Sequence, residues 1–252
     1  MRKLAAFAMG LLIATGTSAN AAEIKLLNAT AMQQLMENLG PKFEKATGHK
    51  LTITIASLGP ALKRVQDGET YDVVILPQRG IESLIKDGKA VASTTTIIAI
   101  TRVGVAVRKG APKPDISSPE AFKRALLAAK SITHSNPAYG GISGVHVVKV
   151  LERLGIAEQM KPKTVLLNKA GLAGVLVANG EAEIVVQPIQ ELVVVPGIDV
   201  VGPLPEELQD TVAFPAVFMT SAKDTAPLKA LINFLRTPDA MNLIKTMGME
   251  PG

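Results

Sequence analysis

LTITIASLGPALKRVQDGETYDVVIL, residues 51–76, carries the reading on which the fold turns. LTITIA (51–56) is rich in β-branched residues and reads as a strand. Ser57 follows, and Pro60 sits in the first turn of a helix running to Gly68, a place where the missing proline N–H is no loss. YDVVIL (71–76) is a second apolar run of strand length. Strand, helix and strand in so short a stretch form a βαβ unit, which calls for a parallel sheet covered by helices.

The same alternation extends in both directions. Upstream, IKLL (24–27) reads as a first strand, followed by a helix ending at Gly48, with Gly40-Pro41 expected to kink or split it. Downstream come a short helix to Gly88, then TTTIIAITRVGVAVRKG (94–110), a β-rich run with no room for a helix. Ser118-Pro119-Glu120 opens a new helix with a capping serine. SITH (131–134), a helix from about Ile142, TVLLN (164–168), a helix to Gly180 and EIVVQ (183–187) repeat the α/β pattern. TVAFPAVFMT (211–220) is a second long β run, and Thr237-Pro238 divides two closing helices. Two α/β units joined by two extended runs imply an α/β fold of two lobes, hinged by two β crossovers. The expected division is residues 22–100 with 215–252 for one lobe and 101–214 for the other.

Bulk composition narrows the function. Arg2-Lys3, the apolar stretch Leu4–Ala14 and Ala19-Asn20-Ala21 have the layout of a secretory signal peptide over residues 1–21. A periplasmic protein, not inserted in the membrane, is expected. Beyond that leader 25 basic residues face 22 acidic ones, with no basic cluster suited to nucleic acid. There are no cysteines and three unpaired histidines, which argues against a metal or another cofactor. A G-x-S-x-G elbow and a Ser-His-Asp set are both missing, which argues against a hydrolase.

In open α/β sheets ligands bind beyond the carboxyl ends of the strands. Three such ends carry hydroxyls or bare backbone: Asn28 and Thr30, Ser57, and the loop SNPAYGGISG (135–144) with Tyr139, Gly140, Gly141, Ser143 and Gly144. Helix N-termini there favour an anion. Taken singly, each motif also reads as ordinary helix capping; three facing one cleft read as a site for a small anionic ligand. Gln187, ending EIVVQ, is expected at the same mouth; Arg79 is the residue best placed to fork a carboxylate, although it reads first as a solvated surface arginine. His134 directly precedes the glycine loop and is the candidate proton-transfer group, with orienting or hydrogen bonding the loop as the favoured alternative role. His49 and His146 read as surface residues, the latter on a helical face shared with Lys149 and Arg153.

PKFEKATGHKLTITIASLGPALKRVQDGETYDVVIL (41–76), NGEAEIVVQP (179–188), FPAVFM (214–219) and FLRTPDAMNLIKTMGM (234–249) resemble the periplasmic molybdate-binding-protein family of the type II solute-binding fold. The resemblance implies a monomeric carrier that hands an anion to the permease of an ABC-type transporter. It also implies a hydroxyl donor after each of the first two strands and a tyrosine in the second lobe. Ser57 matches the second hydroxyl; Ala31 stands at the first, beside Thr30, and Gln187 falls near the tyrosine. Those departures suit a ligand larger than a tetrahedral oxyanion. Aconitate isomerase, which moves a double bond by a 1,3-proton shift in a tricarboxylate, resembles the same family, so an isomerase stands beside the carrier as the second expectation.

Overall fold

The computed structural model describes residues 21–139, 142–168 and 171–252; residues 1–20 of the expected leader, Gly140 and Gly141 lie outside them. β1 (Glu23–Ala29) leads through a 3-10 turn into α1 (Gln33–Thr47), and β2 (Lys50–Ala56) follows. α2 (Leu58–Gln66), β3 (Val73–Ile75) and α3 (Gln78–Lys86) complete the first unit. β1 lies between β2 and β3 and is parallel to both, as the βαβ pattern requires. Gly48 ends α1 in the left-handed conformation at φ 76°. Pro41 neither splits nor ends α1: the helix is continuous, and Leu35, Met36, Leu39 and Phe43 bury one face of it on both sides of the proline. That apolar stripe outweighs the lost backbone hydrogen bond.

β4 (Thr96–Arg108) is the long crossing strand. Its first half pairs antiparallel with β8 (Thr211–Phe218), and its second half pairs with β6 (Ile184–Pro188) and β7 (Ile198–Pro203). The sheet order is β2-β1-β3-β8-β4-β6-β5, where β5 is Ile132–His134, and the short β9 (Glu250–Pro251) also pairs with β4. The helices of the second half are α4 (Pro119–Ala128), α5 (Ile142–Arg153), α6 (Ala157–Met160), α7 (Gly174–Ala178) and α8 (Ile189–Leu192). α9 (Ala226–Leu235) and α10 (Pro238–Thr246) close the chain. Ser118 and Thr237 cap α4 and α10, accepting from the amides of Ala121 and Ala240.

One expectation fails here and one strand went unread. TVLLN (164–168) is not a strand: only Thr164 bridges to Ile132, after which the Leu167 carbonyl accepts from the Asn136 side chain at 2.7 Å. β7, unread in the sequence, pairs antiparallel with the second half of β4.

The apolar cores follow the sheet. One draws on residues between Ile24 and Ala99 and again between Phe214 and Met249, so the closing helices pack back on the first unit. A second runs from Val103 to Leu208. In β4 and β6 the side chains alternate between faces: Val105, Val107, Ile184 and Val186 join this second core, while Ala106 and Val185 join a third. Both faces are covered, which is why these strands read as continuous apolar runs. Gly104 is fixed by crowding, since a Cβ there would stand 2.8 Å from the Gly202 carbonyl oxygen.

Phe43 is fully buried and meets Phe234 of α9 edge-on, ring centres 5.6 Å apart. Phe43→Ala is expected to cost about 3–5 kcal/mol of stability, read as a lowered urea midpoint. A loss below about 1 kcal/mol would contradict this packing of the closing helices.

Candidate functional site

The carboxyl ends of five strands meet around a cavity of about 850 Å³. β1 contributes Thr30 and Ala31 just beyond its end, β2 contributes Ser57, and β3 contributes Arg79 at the start of α3. From the other side come Ser135 and Asn136 after β5, Ser143 in α5, and Gln190 and Glu191 after β6. The middle of β4 and the head of β8 form the floor, with Thr101 and Val212 exposed to it. The site therefore sits where the crossing strands β4 and β8 join the two halves of the sheet.

Hydroxyl use separates this site from ordinary capping. Ser57 occupies the N-cap of α2, yet its side chain makes no cap hydrogen bond, in contrast to Ser118 and Thr237. Its hydroxyl is left for the cavity. Across the gap, Ser143 and Ser135 share one hydrogen bond at 2.9 Å, and the Ser135 oxygen also accepts from Gln187 Nε2 at 2.9 Å. Two hydroxyl hydrogens serve one bond between the pair, so one hydrogen remains to donate into the cavity.

Gln187 organises this wall from behind. It is fully buried, and its Oε1 accepts from the Gly174 amide at 3.0 Å. A backbone N–H fixes that oxygen's position, so Nε2 must face Ser135 and Glu191 Oε2, the latter at 2.8 Å. Gln187 thus supports the donors and does not line the cavity, a correction to its expected place at the mouth. Asn28 is likewise fully buried, donating to the Ala29 carbonyl, and stays out of the lining.

His134 is also set back. It is 3% exposed, its Nδ1 lies 2.9 Å from the Ser135 carbonyl oxygen, and it is not part of the lining. Burial lowers its pKa and keeps the ring neutral. Gly144 serves the protein itself: a Cβ there would collide with the Ser135 carbonyl, so the glycine lets α5 back onto the end of β5. Tyr139 belongs by its backbone to the 3-10 turn Pro137–Tyr139, and its side chain lies outside what is described. His146 is not solvated as read: its Nε2 lies 2.9 Å from the Leu208 carbonyl oxygen. The segment around Leu208 covers that face of α5, with Arg153 donating to Glu207 beside it. His49 keeps an edge position, accepting from the Ala22 amide.

Two charged residues were undervalued or missed. Arg79 lines the cavity and makes no ion pair among the described residues. Arg102, by contrast, is held by Glu206 and Glu250. Glu191, which the sequence reading passed over, lines the cavity with Gln187 as its hydrogen-bond donor and no ion-pair partner among the described residues. Burial pushes its carboxyl up to about 7. The surrounding ELVVV offers no sequence cue, because only the fold turns Glu191 inward. No group of three or more His, Asp or Glu side chains among the described residues could hold a metal ion. Among them, too, no helix is long and apolar enough to cross a membrane.

Comparison with known proteins places this geometry. The pattern of bacterial extracellular solute-binding proteins matches residues 24–250. An aconitate isomerase from a Pseudomonas species is 30% identical over 99% of this chain and 97% of its own. A molybdate-binding protein from Azotobacter vinelandii is 28% identical over 98% of this chain and 96% of its own. The substrate-binding domain of a putative molybdenum ABC transporter from Clostridium difficile superposes with a TM-score of 0.81 at 17% identity, over 92% of this chain and 100% of that one.

The raised carboxyl has a consequence for stability. The folded state holds the Glu191 proton more tightly than the unfolded chain, whose value is near the ordinary 4.5. Stability contributed by the neutral acid is therefore complete below about pH 4.5 and is lost as pH rises through about 7. Glu191→Gln removes the titration, so its melting midpoint should exceed that of the wild type at about pH 8.5 and match it near pH 4. Parallel pH profiles for the two proteins would contradict the burial of this carboxyl.

Proposed function

The chain belongs to the bacterial extracellular solute-binding protein family, and on that premise we propose that it captures a small organic di- or tricarboxylate in the cleft. The observation that carries this reading is the pair of facing donor sets: Thr30, Ser57 and Arg79 on one side, Ser135 and Ser143 on the other. Hydroxyls and helix-start amides suit any small anion. The free Arg79 guanidinium adds a flat fork matched to a carboxylate. A cavity of about 850 Å³ is roomy for a four-oxygen anion and falls in the usual range for organic ligands.

On this reading the protein is exported to the periplasm by its leader and delivers its ligand as a monomer to an ABC-type permease. The lobes divide where β4 and β8 cross, near residues 100–101 and 214–215. Closure about that crossing brings the donor sets together.

A second reading keeps the site and adds chemistry. The 30% identity to an aconitate isomerase favours it, as does a carboxyl on the cavity wall. In such a 1,3-shift a base takes a proton from one carbon, the double bond moves, and an acid returns a proton two carbons away. His134, cut off from the cavity, would then act by holding Ser135 and not by touching the ligand.

Thermal shift separates the ligand classes. trans-Aconitate or citrate at about a hundredfold over its Kd should stabilise by about 2.7 kcal/mol, with molybdate giving less. Ser57→Ala removes a donor to a charged group, worth about 1.5–3 kcal/mol, and should weaken binding about ten- to a hundredfold. Stabilisation by molybdate alone would overturn the carboxylate assignment. Deuterium entering aconitate in D₂O, followed by proton NMR, would select the isomerase; binding without exchange would select the carrier.

A further inference from the structure

Glu191 poses a problem for any anion in this cavity. The carboxyl stands in the same wall as the Ser135 and Ser143 hydroxyls that would receive the ligand. Its Oε2 takes one hydrogen bond, from Gln187 Nε2 at 2.8 Å, and no cation among the described residues compensates it. An ionised Glu191 would face the incoming anion from the cavity wall, and like charges there oppose binding. A neutral Glu191 instead offers an O–H on Oε1, the oxygen Gln187 leaves alone.

We propose that Glu191 is a ligand-binding residue that enters the complex as a carboxylic acid and donates its proton in a hydrogen bond to the bound carboxylate. This rests on the anion-capture reading and adds to it the claim that anion and proton are taken up together. The proposal holds for carrier and isomerase alike, since no bond to carbon changes in it.

The surroundings of Glu191 are consistent with this assignment. Arg79 of α3 lines the same cavity and makes no ion pair with it among the described residues, while Glu82 accepts from Gln78 and Asp210 at the head of β8 stands 3.9 Å from His146. Arg102 of β4 is occupied by Glu206 and Glu250. Asp199 of β7 accepts from the Gly110 amide, and His134 of β5 is turned to the Ser135 carbonyl. Burial alone accounts for the upward displacement of the carboxyl, which leaves it half-protonated near neutral pH before any ligand arrives.

The sign of the effect follows. Below about pH 7 the proton is already present and affinity is flat. Above it, each binding event must take up one proton, so affinity falls about tenfold per pH unit. The probe is trans-aconitate, titrated calorimetrically between about pH 6 and pH 9 into the wild type and Glu191→Gln; its last carboxyl titrates toward the acid end of that range, an effect common to both proteins that cancels in their ratio. The glutamine mimics the neutral acid, keeping an acceptor for Gln187 and an N–H donor for the ligand.

The wild type should lose affinity steeply above about pH 7.5, while Glu191→Gln holds its affinity and overtakes it by about tenfold or more near pH 9. At about pH 8, titrations in buffers of different ionisation enthalpy should report close to one proton taken up by the wild type and none by the variant. Binding whose pH dependence is the same in both proteins overturns the role of Glu191 and leaves the anion-capture reading standing. No binding by either protein at any pH overturns that reading, and the proposal with it.

Discussion

The structure depends on how β4 divides its hydrogen bonds. One strand of 13 residues gives its first half to β8 and its second half to β6 and β7, so a single backbone belongs to both units. The parallel strands of the first unit reach it only through β8, and β5 reaches it only through β6. Because ladder pairing fixes strand register and direction, β4 also fixes which strand ends face one another. The cavity at its middle is the outcome of that division. Arg102 stands at the changeover, its charge paired with Glu206 on one side and Glu250 on the other where the two cores part.

Much of this was legible from residue pattern. β-Branched alternation in LTITIA, the glycine after α1 and the serine before Pro119 each state a local backbone preference, and each preference is met. The two long runs were readable as crossings because they exceed the length of an ordinary strand and lack helical spacing. Misreadings came where a distant segment overrode the local pattern. TVLLN has strand composition, but its place beside β5 ends after one bridge, when Asn136 claims the Leu167 carbonyl. A split at Pro41, one of the two outcomes read there, does not occur, because the buried stripe on both sides of it holds the helix together. His146 shares its helical face with Lys149 and Arg153, and only the fold brings Leu208 over it.

The site was legible by position and not by role. Strand ends followed by hydroxyls and glycines pointed to Thr30, Ser57 and Ser143, all of which line the cavity. Whether a residue faces the cavity or stands behind it depends on side-chain direction, which spacing does not encode. Gln187 and His134 lie at strand ends as read, but one supports the wall and the other is closed off by its neighbour's carbonyl. Glu191 was invisible because nothing near it in sequence marks a buried acid; its environment is assembled from Gln187, Ser135 and Gly174, four to 56 positions away.

The amide of Gln187 has a further consequence, for the timing of capture. With its oxygen committed to Gly174 and both amide hydrogens committed to Ser135 and Glu191, it cannot turn over without breaking three bonds at once. The polarity of the second-unit face is thus set before a ligand arrives, and little rotamer freedom is left to lose on contact. Side-chain rearrangement then contributes little to the association barrier. On the capture reading, the rate of trapping would be left to the flexing of the β4–β8 ribbon, whose stiffness would be the quantity that evolution or an engineer adjusts to make the molecule hold its ligand longer.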